Sequence, residues 1–129
     1  MIELLERVET HLSDQLDGWT LRYYMWTDAD LNGAADVALL RMNGTGGANN
    51  HEVQFQDVSL SLMCDPSAIK STDETMTAIL RHLRESYDAG SVINVDVFFM
   101  RPISYMGPVR LQNGRCLFEM VIRCATEDL

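Results

Sequence analysis

The chain is short of positive charge: ten Lys and Arg stand against nineteen Asp and Glu, for a formal net charge of −9. A surface of that sign repels phosphate backbones at long range, which argues against nucleic-acid binding and against sequence-specific binding in particular. Cysteine is scarce too. Cys64, Cys116 and Cys124 are odd in number and lack the close spacing of zinc ligands, so free buried thiols in a reducing cytoplasm are expected. No apolar run approaches the ~18 residues of a membrane span, and no basic-then-apolar leader opens the sequence. Neither membrane insertion nor export is therefore expected. Repeats, linkers and low-complexity tracts are also lacking, which predicts a single domain over 1–129.

What is present is enough to fold. Of the 129 residues, 47% are apolar, well above the level of disordered chains and sufficient for a real core. Leu4, Val8, Leu12 and Leu16 recur every four residues with Leu5 beside them, which predicts a helix over 2–16. Glu3, Glu6 and Glu9 crowd its N-terminal half, where the helix dipole favours negative charge. Asp17-Gly18 ends it. Trp19, Leu21, Tyr23, Tyr24, Met25 and Trp26 then form a dense aromatic patch, read as an extended segment, and Thr27 to Gly33 as a polar loop. Residue preferences place these aromatics in the core; the competing reading puts some of them against a partner.

Strands are predicted over 35–42 and 52–64, joined by the Gly-rich loop 43–50. In the second strand Val53 and Phe55 share one phase, and Val58, Leu60 and Leu62 the other, which predicts a bulge or bend between them. A helix follows over 72–88, with a capping box at Ser71 and Glu74 and the stripe Met76, Ile79, Leu80, Leu83 and Tyr87. Gly90 stops it. Residues 92–99 alternate as a strand, broken at Arg101-Pro102, with a second turn at Gly107-Pro108. A hairpin closes the chain: 109–112, the Asn113-Gly114 turn with both positions at positive φ, and 115–124. The fold class is α+β: a mostly antiparallel sheet with an N-terminal and a central helix packed on one face.

Most candidate chemistry fails on inspection. Gly44-Thr45-Gly46-Gly47 lacks the Lys and the following helix that a phosphate loop needs. His11, His51 and His82 are scattered, with His82 off the helix stripe and solvated. The cysteines fall on strands, two of them on the apolar phase, so they read as inert rather than nucleophilic. Asp28-Ala-Asp30-Leu-Asn32-Gly33 matches six residues of a calcium loop, but Leu39 stands where the twelfth position needs Glu. Asp28, Asp30 and Asn32 are thus a weak metal candidate against a plain surface loop. No cofactor is expected, and no set of residues suggests an enzyme. Eight methionines suit adaptable packing.

From Gly44 onward the order of elements resembles tail terminator and tail-completion proteins of long-tailed bacteriophages, the lambda-type terminator among them. The resemblance rests on the Thr45-Gly46-Gly47 turn, the long strand and central helix at 53–64 and 72–88, and the later turn residues Pro102, Gly107, Gly114 and Arg115 with Phe118 on the last strand. It covers roughly 40–125. Trp19 to Asn32 has no counterpart, and Gln112-Asn113 stands where an acidic residue usually precedes the hairpin glycine.

The resemblance implies a structural virion protein: a homohexameric ring at the head–tail junction, assembled in the host cytoplasm. It would stop tail-tube polymerisation and present a head-joining surface. Its partners would be copies of itself, the tail-tube protein and a head-completion or connector protein. Interface candidates are then Thr45, Gly46, Gly47, His51, Arg101, Pro102, Tyr105, Met106 and Arg110. The alternatives are another head–tail connector subunit, or a small α+β ligand-binding domain or enzyme of unknown substrate.

Overall fold

A computed structural model describes residues 2–43, 54–90, 93 and 97–126. Helix α1 spans Ile2–His11, and its stripe is buried as the spacing demands: Leu4, Leu5, Val8, Leu12 and Leu16 are all in the core. The helix is shorter than expected. Beyond His11 the chain continues as turns to Gly18, although the Leu16 N–H still returns to Leu12 O at 3.0 Å. Gly18 takes φ +85 and redirects the chain, a conformation that side chains with a Cβ resist.

Strand β1, Thr20–Tyr23, follows. Trp19, Leu21 and Tyr23 pack on the core, whereas Tyr24 and Met25 are exposed. The aromatic patch therefore divides between the two readings. Strand β1 runs parallel to β2, Val37–Met42. Parallel neighbours cannot be joined by a tight turn and need a crossover. For that reason Thr27–Gly33 is not a loop: it holds a short helix α2, Asp28–Asn32. Its start is a capping box with Asp in place of the usual Glu or Gln. Thr27 Oγ accepts from the Asp30 N–H at 3.1 Å, and the Asp30 carboxylate accepts from the Thr27 N–H at 2.8 Å.

Strand β2 pairs antiparallel with β3, Gln54–Cys64, which pairs with β5, Cys116–Thr126, and β5 with β4, Val97–Arg110. The sheet order is β1-β2-β3-β5-β4. The β3–β5 register runs unbroken from Gln54↔Thr126 to Cys64↔Cys116, so the bend expected between Phe55 and Val58 is not there. The mixed phase has another cause. β3 is central and buried on both faces, with Val58, Leu60 and Leu62 on one and Ser59, Ser61 and Met63 on the other.

Helix α3 spans Ile69–Asp88. It begins earlier than the Ser71 capping box predicts, because a 3-10 turn at Pro66–Ala68 leads into it. Asp65 caps that turn, accepting from the Ser67 N–H at 3.1 Å, with Pro66 in the first helical position where its missing N–H costs nothing. Ser71 lies inside the helix and donates to Ala68 O at 3.1 Å. Met76, Ile79 and Leu83 from α3 and the α1 leucines meet Leu40, Leu60, Phe118, Met120 and Ile122 in one cluster. Helices α1 and α3 thus cover one face of the mostly antiparallel sheet. The short α2 is tied to the other side, from which Arg22 projects.

The two breaks expected near Pro102 and Pro108 are absorbed into a single 14-residue strand. Register shifts at Val97/Phe99, Pro102/Ser104 and Met106/Val109 take up the irregularity. β4 is an edge strand, so a proline there need not break a ladder bond. At its end the Gly114 N–H returns to Leu111 O at 3.0 Å. Gly114 takes φ +85 but Asn113, expected to match it, does not take a positive φ. Asn113 instead accepts from the Arg115 N–H at 3.0 Å and donates to Leu31 O at 2.9 Å.

This division of faces is testable. Phe118 is fully buried under the helices, whereas Val121 is half-buried on the opposite face. Phe118→Ala should cost about 3–5 kcal/mol in denaturant unfolding, and Val121→Ala only about 1 kcal/mol. Equal losses would contradict an apolar cluster centred on the helix-covered face.

Candidate functional site

Strand β4 carries the most prominent uncovered apolar surface. Ile103, Tyr105, Met106 and Val109 are 39–43% exposed, although large apolar side chains clustered on one strand are ordinarily buried or covered by a partner. Basic groups flank them. The Arg101 guanidinium lies 5.7 Å from the Tyr87 ring centroid, within cation–π range. Tyr87 in turn meets Phe99 edge-on at 5.2 Å. The Tyr105 hydroxyl donates to Asp73 of α3 at 3.1 Å, while Arg110 is exposed. Five of the expected interface residues, Arg101, Pro102, Tyr105, Met106 and Arg110, are thereby brought onto one edge strand. Thr45, Gly46, Gly47 and His51 lie outside the described residues.

On the other side of the sheet, two ion pairs hold position. The Arg123 guanidinium grips the Asp57 carboxylate through two bonds, at 2.9 and 3.1 Å. Arg22 does the same to Asp30, at 3.0 and 3.1 Å. That contact, first, and the Thr27 capping bonds hold the Asp30 carboxyl down to about 2, against the opposing effect of burial. Both Asp30 oxygens are thus engaged within the chain, while Asp28 and Asn32 are exposed on the same helix. Among the described residues, no group of three or more His, Cys, Asp or Glu is placed to hold a metal ion.

Among the described residues Arg115 is the buried cation, 3% exposed. It donates from Nη1 to Asp30 O and from Nη2 to Ala35 O, with a longer contact to Met63 O at 3.5 Å. These carbonyls belong to α2, its exit and β3. One guanidinium therefore ties the crossover to the middle of the sheet.

The three cysteines are free and buried. Burial pushes the Cys64 thiol up and Cys124 to about 12, which keeps both in the unreactive protonated form. The histidines depart from expectation. His82 is not simply solvated: its Nε2 lies 2.9 Å from His11 O, and the two rings sit 4.5 Å apart. Burial, and then the neighbouring His82, lower the His11 pKa. Each histidine falls three residues after a buried stripe position, Val8 or Ile79. That shoulder position is the signal that would have paired them.

Among the described residues the arrangement offers surfaces and no convergent set of reactive groups. A family model described as phage tail termination protein matches residues 1–128. The chain belongs to the phage tail termination protein family. Its role is therefore structural, in a phage tail. No curated protein matches the chain. The family match reaches further than the resemblance read from 40–125, and takes in residues 19–32 as well. In this tail protein those residues are the β1–α2 crossover rather than an appendage.

The Asp30 clamp predicts an acid response. Because the folded carboxyl titrates below its ordinary 3.8, its contribution is complete above that pH and is lost as pH falls through about 2. Asp30→Asn should cost about 1–3 kcal/mol at pH 7, and the gap to wild type should close toward pH 2. A gap of the same size at both pH values would contradict the clamp.

Proposed function

We propose that the chain forms a closed ring of six copies at the head-proximal end of the tail, where it stops tube polymerisation and presents a surface to the head. The family match over nearly the whole chain carries this reading. Strand β4 supports it, since its exposed apolar residues and flanking arginines suit burial against another subunit. A ring requires a heterologous contact, in which one face of each copy meets a different face of the next. A sheet with two unlike edges has that property.

In this reading no bond is made or broken. Stopping the tube means occupying its growing end with a ring that offers no further site for the tail-tube protein. The opposite surface then meets a head-completion or connector protein. Neither cofactor nor metal enters the mechanism. The protein belongs to the virion at the head–tail junction and assembles there in the host cytoplasm.

The test is tube length. Purified chain added to polymerising tail-tube protein should shorten the tubes in proportion to its concentration. Negative-stain images should show an added ring at one end only. Tubes of unchanged length with bare ends would overturn the proposal.

A further inference from the structure

The two edges of the sheet differ in charge as well as in shape. Residues 2–23, which include α1 and β1, hold five carboxylates against two arginines. Strand β4 holds two arginines, Arg101 and Arg110, and no carboxylate. Strands β1 and β4 are the opposite edges of the sheet. An acidic edge and a basic edge on one molecule attract head to tail and repel head to head.

Each edge also has the relief for such a contact. Beside β1 a cavity of about 230 Å³ opens between α1 and the strand, lined by Leu16, Trp19, Leu21, Ser13, Glu9 and Asp17. It offers apolar wall from the first three and carboxylates from the last two. Asp17 is exposed, and Glu9 accepts from the Tyr23 hydroxyl. The basic edge has the complementary charge: Arg110 is exposed near the end of β4. Arg101 is already engaged over Tyr87, whereas Arg110 has no ion-pair partner among the described residues. Pro102 and the three register shifts of β4 leave no regular ladder for backbone pairing, so this edge meets a partner through side chains.

Resting on the ring reading above, we infer that the occupant of the α1–β1 cavity is a second copy of this chain: Arg110 of one copy seats against Asp17 and Glu9 of the next. The contact is heterologous, so each copy gives one arm and receives one, and repetition closes the ring. The occupant is identified by charge complementarity between two surfaces of a single sequence.

Charge exchange tests it. Arg110→Glu and Asp17→Arg each set like charges against each other at every contact, and each should raise the concentration for half-assembly by about tenfold or more. An equimolar mixture of the two variants makes every contact complementary again when copies alternate, and should regain wild-type ring mass by light scattering. The double variant should do so alone. Raising salt should weaken wild-type assembly, a readout needing no substitution, and circular dichroism confirms that each variant is folded. Single variants that assemble like wild type, or a mixture and double variant that stay dissociated, would overturn the pairing of these surfaces and leave the ring reading standing. A wild-type chain that remains monomeric at its highest soluble concentration and also leaves tube length unchanged would overturn both.

Discussion

Much of this structure depends on how one buried cation is accommodated. Taking a guanidinium out of water costs several kcal/mol unless its N–H groups find acceptors. Arg115 finds them in backbone carbonyls, at Asp30, Ala35 and Met63, rather than in a carboxylate. The choice has a structural effect. A carboxylate partner would satisfy the charge locally, whereas three carbonyls from separate segments oblige those segments to stay together. The crossover between β1 and β2 is thereby fixed to the central strand, and Asn113 beside Arg115 binds the last turn of α2 through Leu31. The parallel β1, among the described residues the one strand out of keeping with an antiparallel sheet, is stable in this setting.

With the crossover fixed, the two faces take different duties. One is filled by α1 and α3 and holds the apolar cluster. The other is threaded by paired charges, Arg22 with Asp30 and Arg123 with Asp57, each bidentate and partly shielded from solvent. What remains for contact with other molecules is mainly the rim of the sheet. That suits a structural tail protein: shape and charge at the rim can vary without disturbing the filling of the core.

The sequence made some of this legible. The four-residue spacing in α1, the stripe of α3 and the alternation of β5 each follow from one dominant burial pattern, and these elements were read correctly apart from their ends. The misreadings share a cause, which is local rules overruled by neighbours in space. Thr27–Gly33 is polar enough for a loop, yet the parallel pairing of β1 and β2 requires a crossover and α2 supplies it. Pro102 and Gly107 usually end a strand, but an edge position tolerates both. Ser71 and Glu74 spell a capping box, but Asp65-Pro66 starts the helical run first. Of the candidate surface, the β4 residues were named by type and position, because arginines and apolar groups beside prolines stand out in a row. The α1–β1 cavity was not, because its walls come from a helix, a turn and a strand whose approach no linear pattern records.

The irregular outline of β4 has a consequence for how the free protein behaves before it is used. A long, flat edge of unpaired amides and carbonyls invites unlimited stacking into cross-β fibres. Pro102 and the three shifts in register break that template along its length, although the surrounding side chains are apolar enough to be sticky. Growth by strand-to-strand stacking is thereby disfavoured along this edge, and side-chain contact is what it leaves for meeting another molecule.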